Sequence, residues 1–151
     1  MNIPKIKKSV NVIIKSNTSV SEKLQNICNY LKQEIDYFHW VGFYFKNGDK
    51  NELKLAEFAG EPTEHIIIPF GKGICGQVAI SNKNFIVPDV SAQENYISCG
   101  WKVKSEIVIP IFVQGKNIGQ IDIDSHIVNP FSKDDEILLE YVCEKVSEIL
   151  S

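Results

Sequence analysis

The chain has 151 residues, 44% hydrophobic and 23% charged, with a formal net charge of −3. That length suits a single domain, residues 1–151, and the weak acidity gives no field to hold nucleic acid or an anionic membrane. No apolar run approaches the roughly 18–20 residues that span a bilayer, and the basic start MNIPKIKKSV leads into no signal-peptide core. The expectation is a cytoplasmic protein in a reducing compartment.

In chain order, the first helix is expected to begin near Ser19. Ser19 and Glu22 read as a capping box, and Leu24, Ile27, Cys28, Leu31 and Ile35 follow at helical spacing. Residues 40–46 are aromatic and β-branched, and residues 53–59 alternate after the turn at Asn47-Gly48-Asp49. Further strands are expected at 65–69, 85–87, 107–113 and 118–124, the last two joined by a hairpin of Gln114-Gly115-Lys116. Residues 72–80 suit a short helix entered through glycines, and 88–104 an irregular loop. A last helix follows Pro130-Phe131-Ser132. Its first turn carries Asp134, Asp135 and Glu136, and its stripe is Ile137, Leu138, Tyr141, Val142, Val146, Ile149 and Leu150. Helices at both ends of an antiparallel sheet of five or six strands make an α+β fold.

Four cysteines are present. Cys28 and Cys143 fall on apolar helix stripes and read as core residues. Cys75 lies in Gly71-Lys72-Gly73-Ile74-Cys75-Gly76, where a helix start can lower a thiol pKa. Cys99 lies in the irregular loop, where a thiol is either exposed and reactive or incidental. No CxxC pair occurs, and His39, His65 and His126 lack metal-ligand spacing, so no metal is expected.

Asp122 and Asp124 share one face of a strand. A three-residue hairpin loop would pair 113 with 117, and so set Glu106 opposite Asp124 and Val108 opposite Asp122. The three acids would then form a cluster that either faces water or binds a cation. A one-residue slip would turn Glu106 away. Trp40 and Tyr44 also share a face, as core packing or as the wall of a ligand pocket.

The runs Trp40-Val41-Gly42-Phe43-Tyr44 and Ile68-Pro69-Phe70-Gly71-Lys72-Gly73-Ile74-Cys75-Gly76 resemble the free methionine-(R)-sulfoxide reductases, which are GAF-fold enzymes. So do Pro88-Asp89-Val90, Ile97-Ser98-Cys99, Ser105-Glu106-Ile107-Val108-Ile109-Pro110 and Gly119-Gln120-Ile121-Asp122-Ile123-Asp124-Ser125. Each motif alone is weak. The combination of GKGxCG, a second cysteine 24 residues on, SEIVxP and DIDS is specific. The resemblance implies a single GAF domain that reduces free methionine-(R)-sulfoxide. It makes Cys99 the nucleophile, Glu106, Asp122 and Asp124 the acids that bind the substrate, and Trp40 and Tyr44 the pocket walls. It implies no bound cofactor. Reducing equivalents would come from a thioredoxin-like thiol protein, and a homodimer is left open. Glu106 or Asp124 is favoured as the proton donor to the departing oxygen, since mutual repulsion raises a pKa within the cluster.

One position departs from the resemblance. Many members carry a resolving cysteine four residues before the proline of the PFGKG run, where this chain has His65. Three outcomes stay open: Cys75 resolves the oxidised Cys99, an external thiol does so, or the pocket only binds. His65 itself reads as a strand residue or a proton donor. The competing readings are a non-catalytic GAF sensor of a small molecule and a thiol redox sensor built on Cys75 and Cys99.

Overall fold

A computed structural model describes residues 1–93 and 102–151. It contains helices α1 (Ile3–Lys15), α2 (Val20–Glu34), α3 (Gly73–Ser81) and α4 (Lys133–Leu150). The strands are β1 (Trp40–Lys46), β2 (Glu52–Ala59), β3 (Ile67–Pro69), β4 (Phe85–Val87), β5 (Ser105–Val113) and β6 (Lys116–Ser125). They form one antiparallel sheet in the order β3-β2-β1-β6-β5-β4. This is the expected α+β arrangement, with six strands. Among the described residues no helix is long and apolar enough to cross a membrane.

The period-two alternation of the central strands divides the molecule into two cores. Val41 and Phe43 of β1, Ile107, Ile109 and Ile111 of β5, and Ile121 and Ile123 of β6 pack against α1, α2 and α4. The side chains between them point to the opposite face. There Trp40, Tyr44 and Val108 meet Ile74, Cys75 and Val78 of α3.

Helix formation starts earlier than expected. Asn2 caps α1 by accepting the Lys5 N–H at 3.1 Å, Pro4 sits in the first turn, and Ile6, Val10 and Ile14 are buried. These are sequence-level signals, obscured by the basic residues around them. At α2, Ser19 Oγ accepts the Glu22 N–H at 3.1 Å, which is the Ser19 half of the expected box. Leu24, Ile27, Cys28, Leu31 and Ile35 are all buried, as their spacing requires. In α4, Leu138, Val142 and Val146 are buried together with Cys143, whereas Ile137 is exposed and lies off the stripe.

The β5–β6 hairpin corrects one premise. Val113 pairs with Lys116, so the loop is the two residues Gln114 and Gly115, with φ of 51° and 78°. Positive φ at both positions is the mark of a type I′ turn. A register shift between Ile111 and Phe112 then adds one residue on β6. The two departures cancel, and Glu106 still pairs with Asp124 and Val108 with Asp122. The strand expected over 65–69 is shorter: β3 begins at Ile67, and His65 lies half-buried in the segment leading to it.

Asp135 is the polar pin of α4. Its Oδ2 accepts the Ser132 N–H at 2.8 Å, and its Oδ1 accepts the Tyr37 hydroxyl at 2.7 Å. It is fully buried. Asp135→Ala removes a helix cap and orphans two donors, which costs about 2 kcal/mol. The expected outcome is a fall of about 4–8 °C in Tm by calorimetry, with ligand binding unchanged because the residue lies away from the acidic face. An unaltered Tm would show that the cap does not stabilise α4.

Candidate functional site

The sheet face opposite the three long helices builds the site as a lattice. Across β1, β6 and β5, one row is Trp40, Asp124, Glu106, and the next is Gly42, Asp122, Val108. Register alone therefore brings Trp40, Asp122, Asp124 and Glu106 together. Gly42 leaves room above its strand for the Trp40 indole. A Cβ there would stand 2.6 Å from Trp40 Cζ3. Nothing in the sequence motif around Gly42 marks this packing role.

Both aromatic side chains are held at their polar ends. Trp40 Nε1 donates to the Glu61 carbonyl at 3.0 Å, and its ring stacks on Phe58. The Tyr44 hydroxyl donates to the His65 carbonyl at 2.8 Å. A cavity of about 800 Å³ opens beside them, lined by Trp40, Tyr44, Asp122, Asp124, Glu61 and Lys102 among other described residues. Glu106 fronts a separate recess of about 20 Å³, with Cys75 and His65. Tyr44 and Asp122 line both spaces. Cys99, the expected nucleophile, lies outside the described residues.

The glycine-rich run brings α3 down onto the acids. Gly76 packs so close to the preceding turn that a Cβ would meet the Pro69 carbonyl oxygen at 2.6 Å. Gln120 Nε2 donates to the Cys75 carbonyl at 3.1 Å and ties the first turn of α3 to β6. Gln120 was not among the expected site residues, although it lies two residues before Asp122 on the same strand face. Cys75 Sγ ends 3.6 Å from Glu106 Oε2.

Glu106, Asp122 and Asp124 are 4%, 2% and 3% exposed, so this is a buried acidic cluster and not a solvated face. One carboxylate oxygen of each aspartate, Oδ1, has no hydrogen-bond partner among the described residues. Burial, and then the charge of Asp122, push the Asp124 carboxyl well above the usual carboxylate range, against a hydrogen bond with Glu106. Asp122 is raised by burial too, but hydrogen bonds with Glu106 and Cys75 and the nearby His65 oppose the rise. The expectation of an activated Cys75 is corrected. Burial, then the charges of Asp122, Glu106 and Asp124, push its thiol well up, overriding any effect of the helix start. Cys28 and Cys143 are buried in the main core, as expected.

Two histidines, which lack metal-ligand spacing in the sequence, stand at the cavity edge. The rings of His39 and His126 stack at 4.0 Å, and His39 Nδ1 accepts the His126 N–H at 3.0 Å. The His39 N–H donates to the Asp124 carbonyl at 3.0 Å, so the pair clamps the end of β6. Burial, then His126 and Lys32, lower the His39 pKa.

The GAF domain family matches residues 17–151. Protein YtsP of Bacillus subtilis is 34% identical, over 95% of this chain and 92% of its own length. The free methionine-R-sulfoxide reductase of Escherichia coli is 30% identical, over 97% of this chain and 87% of its own. The reduced form of fRMsr of Staphylococcus aureus superimposes with a TM-score of 0.91 at 35% identity, covering 99% of this chain and 96% of that one. The chain therefore belongs to the GAF domain family, within the group of relatives that includes the free methionine-R-sulfoxide reductases.

Proposed function

We propose that this protein is a cytoplasmic enzyme that reduces free L-methionine-(R)-sulfoxide to L-methionine at the expense of thiols. One observation carries the reading: two buried aspartates, each with an oxygen that has no partner among the described residues, line a cavity walled by Trp40 and Tyr44. Buried carboxylates without a counter-charge are costly, and an ammonium group that enters the cavity relieves that cost. The aromatic walls take the methyl-sulfinyl end. Free methionine sulfoxide carries both features, and the group of relatives points to the same substrate.

The chemistry follows from the acids' unequal settings. Asp122, with its opposing hydrogen bonds, ionises before Asp124 and holds the ammonium. Asp124 retains its proton and delivers it to the sulfoxide oxygen. The Cys99 thiolate attacks the sulfoxide sulfur, forming an S–S bond as the oxygen takes the proton; the hydroxyl then passes from the substrate sulfur to the Cys99 sulfur as that S–S bond breaks. Methionine departs and Cys99 is left as a sulfenic acid. A second thiol attacks that sulfur, expelling water and forming a disulfide, which a further thiol reduces. Cys75 is the internal candidate for the second thiol. Its burial among carboxylates holds it in the protonated form, the wrong form for attack. An external, thioredoxin-like thiol therefore regenerates Cys99 in this reading.

Cys99→Ser should abolish turnover of the free sulfoxide with dithiothreitol, with circular dichroism unchanged. After one turnover without reductant, dimedone should label Cys99 in the wild type and leave Cys75 as free thiol. Substantial turnover in the serine variant would overturn the nucleophile. A Cys75–Cys99 disulfide in the mass spectrum would overturn the external route.

Substrate choice is a second test. N-acetylation removes the ammonium that Asp122 holds, so N-acetyl-methionine sulfoxide should react at least about a hundredfold more slowly in kcat/KM, the loss expected for an unpaired buried carboxylate. Equal rates would show that the acids do not read the amino group.

Asp124 also makes stability depend on pH. Its folded-state pKa lies above its unfolded value, near 3.9. The stability it contributes is therefore present below about pH 4 and is lost as the pH rises through the raised value. Asp124→Asn removes that loss. The variant should melt above the wild type at neutral pH, with the gap closing on acidification, while its turnover collapses. A lower neutral-pH Tm than the wild type would contradict the placement of this charge.

A further inference from the structure

The small recess between α3, β5 and β6 has the shape and donors of a different kind of site. We propose that it binds a thiophilic divalent cation of the zinc class, held by Cys75 Sγ and by one carboxylate oxygen each of Glu106 and Asp122. The three donor atoms lie within 4.8 Å of one another, and all three residues are buried. With Zn–S near 2.3 Å and Zn–O near 2.0 Å, a tetrahedral centre sets its sulfur and oxygen about 3.5 Å apart. Cys75 Sγ and Glu106 Oε2 already stand at 3.6 Å. The recess of about 20 Å³ is room for roughly one water or one dehydrated ion.

A second observation points to a cation independently of that geometry. Asp122 is 2% exposed, lines the recess, and keeps Oδ1 without a partner among the described residues. Of the basic residues on the recess wall, Lys72 is exposed and His65 is half-buried. A bound ion gives the buried Asp122 carboxylate a counter-charge. His65 lines the same recess but is not among the three residues whose donor atoms lie within 4.8 Å of one another. A donor set that includes a thiolate beside the carboxylates selects zinc-like ions over magnesium or calcium.

Binding is ligand exchange without redox change. The Cys75 thiol gives its proton to solvent, a sulfur–metal bond forms, and affinity rises with pH as that proton becomes easier to remove. Asp122 belongs to both the recess and the large cavity. On the proposed function, the ion and the substrate ammonium therefore compete for it, and zinc acts as an inhibitor that raises KM. That consequence rests on the reductase reading, whereas the binding site does not.

The test uses the full reduced chain and Co²⁺ as a spectroscopic probe, followed by Zn²⁺ competition. One Co²⁺ per chain should bind with a thiolate-to-metal charge-transfer band, retained in Cys99→Ser and lost in Cys75→Ser. Glu106→Gln and Asp122→Asn should each weaken Zn²⁺ binding by more than about tenfold. Absence of the band in the wild type overturns the site, as does a band that persists in folded Cys75→Ser. If the serine variant does not fold, unchanged Zn²⁺ affinity in both carboxylate variants overturns it instead. A protein that binds Co²⁺ through Cys75 yet reduces no sulfoxide upholds this site and overturns the reductase reading. Reduction of sulfoxide without the band does the reverse.

Discussion

The register between β5 and β6 is the constraint on which the site depends. It sets Glu106 opposite Asp124 and keeps Asp122 on the same face. A slip of one residue would exchange these acids with Ile107, Ile121 and Ile123, burying charge against the long helices and exposing the core. The main hydrophobic core therefore holds the acidic face in place. The apolar residues of the central strands cannot leave α1, α2 and α4 without turning the carboxylates inward. A type I′ turn and a compensating bulge deliver this register at the hairpin.

Three carboxyl groups in one dry patch are costly. Burial and the charge of Asp122 raise Asp124 more than Asp122, which hydrogen bonds hold closer to the ionised form. Such a cluster destabilises the free protein and is suited to receiving positive charge, the usual exchange of stability for function at a binding site. Trp40 and Tyr44 complete it from the neighbouring strand. Their polar atoms are tied to the backbone at Glu61 and His65, which leaves the ring faces as apolar walls. Their placement owes as much to Gly42, the missing side chain between them, as to the aromatic rings.

Cys75 and His65 meet at the recess beside the acidic face. The glycine-rich turn lowers α3 until Cys75 touches Glu106, so Glu106 and Asp122 belong to the acidic lattice and to the thiol recess at once. In that setting Cys75 is a poor nucleophile but a good metal ligand, because a cation displaces the proton that burial otherwise retains. The proposed regeneration by an outside thiol and the proposed capture of a zinc-class ion both draw on that same environment.

Much of the architecture was legible from residue patterns. The helix stripes, the Ser19 cap, the strand alternation and the shared face of Asp122 and Asp124 are local, and local geometry repeats with periods that sequence displays. Helix α1 was legible too, in Asn2, Pro4 and the spacing of Ile6, Val10 and Ile14, but its lysines drew attention away. The pairing of Glu106 with Asp124 was reached through a three-residue loop that does not exist, because a shorter turn and a bulge shift the register by equal and opposite steps. Other features could not be read from the chain at all. Cys75 meets Glu106 and Asp122 from three separate elements, 31 and 47 positions apart in sequence, so no ligand spacing announces them. The thiol's pKa moved opposite to the helix-start expectation because desolvation and neighbouring charge are properties of the packed interior. The sequence by itself determined which side chains share a face. The tertiary structure decided which faces meet and how dry the meeting place is, since burial and charge act through space.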